Sequence, residues 1–267
     1  MRIVSLNAWA GKLHAPVLQY LAEIDADIVC LQELSRTPTA RSAWLIYREP
    51  GVELPQRANF FDEVAAVLPG HDGVFCPTAS GPLYDGEAVL PSQFGLATFV
   101  RKTIPVMAQT VDFVHGHYTP DGWGEHPRAR NAHCLRILDP ATGAPLTIAQ
   151  MHGLRETSGK ADTPARHVQA DALVDLIERV WPGDERLVVC GDFNVLPESV
   201  TFPVLARLGL RDLVTTNGFT DTRTSHYEKP GRYADYMLVT PDVAVKAFDV
   251  VVQPEVSDHR ALLLDID

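Results

Sequence analysis

The sequence has few cysteines, and none of them has a spacing that binds zinc or forms a redox pair. Its four cysteines, Cys30, Cys76, Cys134 and Cys190, lie far apart in apolar surroundings, where a free thiol acts as a small core residue. No C-x-x-C pair is present, which excludes zinc-finger sites and thioredoxin-like chemistry. We therefore expect all four cysteines to be core residues.

The chain also lacks a long apolar run and an excess of basic residues. No run is long enough to cross a bilayer, and Met1-Arg2 leads into a strand-like segment rather than a signal peptide, which favours a cytoplasmic protein. Lys and Arg total 23 against 34 Asp and Glu, a formal net charge of −11. Because nucleic-acid binders usually carry a basic surface, a nonspecific nuclease is disfavoured, although a basic groove on an acidic protein would still permit one.

The length and the order of elements indicate one α/β domain. The 267 residues, 46% of them hydrophobic, suit a single large domain with a sizeable core, and no low-complexity linker divides them. The pattern predicts strand, helix and strand over residues 2–33, and the same order over residues 146–192. A right-handed crossover makes such strands parallel and brings their ends to one edge of a sheet. We expect one domain over residues 1–267.

Between these units, the sequence predicts one further helix and two long loops. The helix covers residues 56–68, a loop rich in Gly and Pro covers 78–92, and a strand follows over 94–100. Residues 115–127 are polar and aromatic, which indicates a surface loop. Loops of this length are often functional. Its histidines could form a metal site, but a rim over a substrate cleft is the favoured interpretation.

The chain is organised around residues 187–194, Leu-Val-Val-Cys-Gly-Asp-Phe-Asn. The short apolar run predicts a buried strand. In an extended chain Asp192 and Asn194 point to one side while Phe193 packs inward. A carboxylate and an amide then stand where a core strand ends, which is where α/β proteins place their chemistry. A simple turn is the alternative, because Gly, Asp and Asn are turn formers.

Other polar side chains stand at the ends of apolar runs in the same way. If they converge, four carboxylates repel one another by roughly 4 kcal/mol per pair at about 4 Å, so they need a cation or some must protonate. Oxygen ligands without a cysteine pair select Mg²⁺ or Mn²⁺ over zinc, and such an ion with histidines and an amide suits phosphate-ester hydrolysis. Each residue alone also fits a turn, a cap or a surface position. The set is Asn7, Glu33, His152, Asp192, Asn194, Asp235, Asp258 and His259.

Seven short sequence blocks are spread over nearly the whole chain, and six of them contain residues of this set. They are Leu6-Asn7-Ala8-Trp9, Leu31-Gln32-Glu33, Phe94-Gly95-Leu96-Ala97, Met151-His152-Gly153-Leu154, Gly191-Asp192-Phe193-Asn194, Tyr233-Ala234-Asp235-Tyr236 and Ser257-Asp258-His259. In these blocks and their order the sequence resembles the endonuclease/exonuclease/phosphatase superfamily, which includes deoxyribonuclease I-like nucleases and neutral sphingomyelinases. The resemblance implies a four-layer α/β sandwich, with two mixed β-sheets packed face to face and helices on the outside. It also implies divalent-metal phosphoester hydrolysis by in-line attack of water.

The resemblance further implies a metal site and a group that handles water. Glu33 would be the principal metal ligand, with Asn7 and Asp258 supporting the same site. Asp192 would orient or deprotonate the attacking water. Asn194 would hold the nucleophile or a phosphate oxygen.

The histidines take roles at the phosphate by the same resemblance. His259 would contact the phosphate. Asp235 would hold the imidazole of His259 and keep it charged, as in other His–Asp pairs. His152 would contact the phosphate or protonate the leaving oxygen.

One departure from the superfamily pattern disfavours DNA repair. Abasic-site endonucleases of the superfamily have an aspartate two positions after the first asparagine, where this chain has Trp9, as in the sphingomyelinase-like branch. Arg128 and Arg130 are candidates for binding the substrate's phosphate or another anionic group. Solvated arginines at the entry to a strand are the alternative.

These features favour a phosphodiesterase or phosphatase that requires Mg²⁺ or Mn²⁺. Its substrate would be a phosphorylated small molecule or a lipid headgroup, which a narrow pocket closed by the loops over residues 78–92 and 115–127 would favour. A nuclease acting on DNA or RNA is the alternative. A binding protein that kept the fold and lost catalysis is disfavoured, because it would not need this cluster of charges.

Overall fold

Two β-sheets form the centre of the protein, whose residues 1–267 are all described by a computed structural model. The strands, in chain order, are β1 (Arg2–Asn7), β2 (Ile28–Arg36), β3 (Trp44–Glu49), β4 (Val52–Arg57), β5 (His71–Asp85), β6 (Ala88–Arg101), β7 (Val106–His115), β8 (Arg130–Leu138), β9 (Pro145–His152), β10 (Arg186–Asp192), β11 (Arg211–Asp212), β12 (Asp235–Val239), β13 (Val245–Val250) and β14 (Leu262–Ile266). The helices are α1 (His14–Glu23), α2 (Phe60–Val67), α3 (Pro164–Glu178), α4 (Thr201–Leu205) and α5 (Leu213–Thr216).

Both sheets are mixed, and they pack face to face. The first has the order β13-β14-β1-β2-β6-β5-β3-β4 and the second β11-β12-β10-β9-β8-β7. One apolar cluster joins Cys30 of the first sheet to Ile148 and Cys190 of the second. Helices α1 and α2 pack on the first sheet in a second cluster, and α3 contributes Leu173 and Ile177 beside the second sheet. This confirms the predicted four-layer α/β sandwich.

The two strand–helix–strand units are present as predicted. Strands β1 and β2 are parallel, and so are β9 and β10. Between β9 and β10, α3 begins at Pro164 after Thr163, whose side chain accepts a hydrogen bond from the backbone N–H of Arg166. An N-cap of this kind satisfies a donor that the helix leaves unpaired. Both crossovers therefore deliver strand ends to the same edge of the sandwich.

Two predictions between these units were wrong. Residues 78–92 belong to the β5–β6 hairpin rather than to a loop, and Gly86 at its turn has φ +61°. Pro82 and Pro91 face each other in the hairpin, at a position where neither strand pairs with a third strand. Their missing backbone N–H groups therefore remove no hydrogen bond to a neighbouring strand. The predicted helix over 56–68 begins only at Phe60, because residues 52–57 pair with β3 as β4.

Residues 116–129 contain neither helix nor strand, in line with the loop predicted there, and they pack against the hairpin. The backbone of Ser80 pairs with Thr119 and Gly122. Trp123 donates its indole N–H to the carbonyl of Pro82 at 3.3 Å, and a Cβ on Gly81 would lie 2.3 Å from its ring. This packing joins the hairpin and residues 116–129 into one wall, which projects beyond the end of β2.

The burial of the four cysteines agrees with the prediction from the sequence. All four cysteines are buried and free, which confirms their prediction as core residues. No helix has both the length and the apolar character that crossing a bilayer requires.

A chain of hydrogen bonds crosses the core between the sheets. Gln32 donates to Gln150 at 2.8 Å, and Gln150 donates to the hydroxyl of Thr98 at 2.6 Å. That hydroxyl lies 2.7 Å from Nδ1 of His133, and Nε2 of His133 lies 3.2 Å from the side-chain oxygen of Gln109. Because Nε2 faces an amide oxygen, which can only accept, the neutral imidazole donates from Nε2, and Nδ1 accepts the hydroxyl hydrogen of Thr98. Burial lowers the pKa of His133 to about 4.

We expect His133 to make the free energy of unfolding fall as the pH falls from about 6.5 to about 4. The unfolded chain binds a proton in this range that the folded protein excludes, because the folded pKa is the lower one. The loss between pH 7 and pH 5 should be about 2 kcal/mol. Urea unfolding of the wild type and His133→Gln at both pH values measures it. An equal pH dependence in the two proteins would contradict the prediction.

Candidate active site

Strand ends from both sheets meet at one edge of the sandwich and bring polar side chains together. Asp192 is the last residue of β10, and it pairs with His152 at the end of β9 on one side and with Asp235 at the start of β12 on the other. Asn7 ends β1 of the first sheet. Its side-chain N–H donates to Oδ2 of Asp192 at 2.9 Å, which joins the two sheets at this edge.

Asp192 lies at the centre of the cluster and is almost fully buried. Its Oδ1 accepts the backbone N–H of Asn194 at 3.0 Å, and its Oδ2 lies 3.7 Å from Nε2 of both His152 and His259. Burial opposes ionisation, but His259, His152 and the hydrogen bond from Asn7 together lower the pKa of Asp192. Asp192 is therefore a carboxylate at neutral pH.

Glycines allow the backbone to approach closely around Asp192. Gly191 has φ +135°, and a Cβ there would lie 2.1 Å from the carbonyl oxygen of Met151. The extended geometry expected for residues 192–194 ends at Asp192, because Asn194 adopts a left-handed φ of +56°. The side-chain N–H of Asn194 donates to the carbonyl of Gly153 at 3.3 Å, so the amide is fixed beside the strand that carries His152.

His259 and Asp235 form a buried pair. Nδ1 of His259 lies 2.9 and 2.8 Å from the two carboxylate oxygens of Asp235. Burial disfavours the charged imidazolium, but Asp235 and Asp192 outweigh it and raise the pKa of His259. Nε2 of His259 lies 3.7 Å from Oδ2 of Asp192 and contacts Nη1 of Arg223.

Glu33 occupies a strained position in β2. The predicted strand ends at Glu33, but the observed strand continues to Arg36 through a bulge between Leu31 and Leu34. Glu33 has φ +61° within this bulge, and such strain is commonly found at functional sites. Its carboxylate is 26% exposed, and Oε1 lies 3.9 Å from Nε2 of His152. The bulge therefore presents the carboxylate to the cleft without a hydrogen bond to the histidine.

Arg223 is a member of the site that the sequence reasoning missed. Its Nη1 donates to Oδ2 of Asp258 at 3.0 Å and also contacts Nε2 of His259. Burial raises the pKa of Asp258. Arg223 lies in an irregular segment and reaches the site through an isolated bridge to His259, so no strand-end pattern could have identified it.

The two arginines before β8 have different surroundings. Arg130 is buried, and its Nη1 lies 3.4 Å from Nδ1 of His152. Burial lowers the pKa of Arg130 to about 10, so it stays charged at neutral pH. Burial and then Arg130 lower the pKa of His152 well below its usual range. Arg128 instead donates to the hydroxyl of Tyr47 at 2.7 Å and pairs with Glu49.

The donors of this edge suit a hard divalent cation, because they are mainly oxygens and include no thiolate. Ligand atoms of Asp192, Asp235 and His259 lie within 4.8 Å of one another. Two of these three, Asp235 and His259, are hydrogen-bonded to each other, whereas each oxygen of Asp192 accepts one N–H group and keeps a lone pair for a cation. The partly exposed carboxylate of Glu33 adds a further oxygen donor. The histidines of residues 115–127 form no such cluster.

Comparison with known proteins decides the family. The profile of the Endonuclease/Exonuclease/phosphatase family matches residues 4–259. The chain belongs to this family. Enzymes of the Endonuclease/Exonuclease/phosphatase family hydrolyse phosphoester bonds, so the chain is a phosphoester hydrolase. No curated protein sequence is significantly similar to it.

Solved structures of other family proteins share the fold. An endonuclease/exonuclease/phosphatase from Bacteroides vulgatus has 21% identity and a TM-score of 0.68, with 100% of this chain and 98% of that chain covered. The human Nocturnin catalytic domain has 18% identity and a TM-score of 0.70, with 100% and 93% covered. A Bacteroides thetaiotaomicron mannosyl-6-phosphatase has 16% identity and a TM-score of 0.68, with 100% and 99% covered. At these identities the likeness shows the fold alone.

Proposed function

We propose that the protein is a divalent-metal-dependent phosphoesterase acting on a phosphorylated small molecule or a lipid headgroup. The observation that carries the proposal is the buried carboxylate of Asp192, held by Asn7 with Nε2 of His152 and His259 at 3.7 Å. The mannosyl-6-phosphatase of the same fold acts on a phosphorylated sugar, which supports a small substrate. The formal net charge of −11 supports it too.

We also propose that residues 1–267 act as one domain in the cytoplasm. Asn7 and Glu33 come from the first sheet, and His152 and Asp192 from the second, so the site needs both sheets. Four free cysteines without a disulfide support a reducing compartment.

Mg²⁺ or Mn²⁺ is the proposed metal, with Glu33 as its principal ligand and Asn7 and Asp258 in support. When bound, such an ion offsets charge on the phosphoryl oxygens. The side-chain oxygen of Asn7 accepts the backbone N–H of Trp9 at 3.0 Å, which fixes that oxygen and leaves it a second lone pair.

Asp192 and Asn194 are proposed to hold the attacking water. The ionised carboxylate of Asp192 accepts a hydrogen bond from the water and orients it for in-line attack. Its lowered pKa favours orientation over early proton removal, because a weak base takes the proton only as attack proceeds. Asn194, fixed by Gly153, offers its amide oxygen to the same water.

Both histidines are proposed to donate to the phosphate. His259 donates from Nε2, because Asp235 occupies its Nδ1. Arg130 approaches Nδ1 of His152, so a neutral His152 carries its proton on Nε2 and donates it toward the phosphate or the leaving oxygen. Arg128 is already paired with Glu49, and we therefore assign the arginine contact with the substrate to Arg130.

A substrate panel tests the proposed function. It comprises p-nitrophenyl phosphate, bis-p-nitrophenyl phosphate, a sugar phosphate, inositol phosphates, sphingomyelin, supercoiled plasmid and single-stranded RNA, each with Mg²⁺, Mn²⁺ or chelator. Chelator-sensitive cleavage of a small ester or lipid, with both nucleic acids intact, is the expected result. Cleavage of plasmid or RNA at low enzyme concentration would replace the proposal with a nuclease.

Glu33→Gln should raise the Mg²⁺ concentration that gives half-maximal activity by at least about tenfold, because a ligand charge is lost. Mg²⁺ titration of hydrolysis measures the change. Glu87→Gln, at the exposed turn of the β5–β6 hairpin, is the matched control and should behave as the wild type. An unchanged Mg²⁺ requirement in Glu33→Gln would show that the metal is held elsewhere.

A further inference from the structure

Arg223 is a buried cation beside the candidate active site. It lies between α5 and β12 and is only 5% exposed. Its Nη1 reaches both Asp258 and Nε2 of His259. Arg223 therefore touches one proposed metal ligand and the histidine proposed to donate to the phosphate.

The protein supplies too few acceptors for this guanidinium. Asp258 is its ion-pair partner, and that carboxylate is also a proposed metal ligand. Nε of Arg223 is buried and has no hydrogen-bond partner. A guanidinium has five N–H donors, and a buried N–H group that lacks an acceptor is destabilising. An anion in the cleft would supply the missing acceptors.

The position of that anion follows from His259. Asp235 holds Nδ1 of His259, so the other nitrogen is turned toward Arg223. The backbones of Arg223 and His259 pair as an isolated bridge, which fixes the two side chains relative to each other. They therefore converge on one point beside Asp192, where the proposed function places the phosphoryl group.

The plane of the guanidinium is also fixed. The central carbon of Arg223 lies 4.2 Å from the ring centroid of Tyr227. Lys160 lies 5.7 Å from the same ring and donates to the carbonyls of Gly231 at 2.8 Å and of Tyr233. Stacking of this kind leaves the N–H edges free for planar recognition of phosphate.

We propose that Arg223 is a catalytic residue that binds a nonbridging oxygen of the substrate's phosphoryl group together with His259. The inference rests on the proposed function, because it takes that site to hold a phosphoester. It assigns Tyr227 as a positioning residue that keeps the guanidinium in plane. The competing role for Arg223 is a structural brace that only holds Asp258.

Binding of inorganic phosphate to the Mg²⁺-loaded protein separates the two roles. Arg223→Met should weaken phosphate binding, measured by calorimetry, by at least about tenfold and lower kcat/KM by about a hundredfold. Arg223→Lys should fall between, because it keeps the charge and loses the fork. The Mg²⁺ concentration for half-maximal activity should change by less than about threefold. Arg179→Met removes an exposed arginine of a surface ion pair and is the control.

Tyr227 provides a second test that leaves Arg223 in place. Tyr227→Ala should weaken phosphate binding by about threefold to tenfold, whereas Tyr227→Phe keeps the ring and should stay within about twofold of the wild type. Circular dichroism and thermal unfolding check that each variant folds.

The outcomes distinguish this inference from the proposed function. Phosphate affinity within about twofold of the wild type in both Arg223→Met and Tyr227→Ala would overturn the inference, even if every protein hydrolyses phosphoesters. A loss of activity in Arg223→Met that is explained wholly by weaker Mg²⁺ activation would overturn the inference. It would show that Arg223 is a structural brace that only holds Asp258. Phosphate binding that depends on Arg223, in a protein that cleaves no phosphoester of the panel, would support the inference and contradict the proposed activity.

Discussion

Asp192→Asn should lower kcat by at least about a thousandfold while the protein stays folded, because it removes an interaction with the attacking water that strengthens in the transition state. The substitution keeps the size of the side chain. It exchanges one carboxylate oxygen for an N–H donor opposite Nε2 of both histidines. The amide can neither take the water's proton nor balance the positive charge around it.

Single-turnover hydrolysis of the best panel substrate at saturating Mg²⁺ measures this loss. Asp171→Asn, on the exposed face of α3 where Asp171 pairs with Arg207, is the control and should retain full activity. Circular dichroism tests whether the fold is intact. A loss below about tenfold, roughly 1.4 kcal/mol, would contradict the role of Asp192.

Asp235→Asn should lower kcat by about a hundredfold to ten-thousandfold. The reason is that the carboxylate of a His–Asp pair orients the imidazole and stabilises its charged form. The variant removes the negative charge that raises the pKa of His259. The charged imidazolium should therefore be lost at lower pH than in the wild type. The alkaline limb of the pH–rate profile should move in the same direction.

A double variant shows whether Asp235 acts through His259. Asp235→Asn combined with His259→Gln should be no more than about threefold slower than His259→Gln alone, because residues that act as a unit are not additive. Losses that multiply in the double variant would show that Asp235 has an independent role, and would count against the pair.

Much of the candidate site could be predicted because its residues follow apolar strands. Glu33, His152 and Asp192 each come after a run of buried residues, and parallel strands joined by helices must end at the same edge. The pairing of Asp192 with His152 follows from that topology, whereas Asp235 begins the antiparallel strand β12 on the other side of β10. The local apolar pattern of the sequence therefore predicted the positions of most residues of the candidate site.

The features that were missed depend on contacts distant in sequence or on turn chemistry. Glycine and proline in residues 78–92 indicated a loop, although Gly86-Glu87, with glycine at the first turn position, is also a hairpin signal. The positive φ of Glu33 arises from a bulge against β6, which the sequence of β2 alone does not show. Arg223 lies in no regular element, and its partners Asp258 and His259 are more than thirty residues away.

The wall of hairpin and residues 116–129, locked by Trp123 on Gly81, contains none of the groups proposed for chemistry. We expect insertions or exchanges in this wall to change the shape offered to a substrate while the strand ends that carry the proposed site stay untouched. The same separation makes residues 82–90 and 116–126 suitable positions for a directed-evolution library.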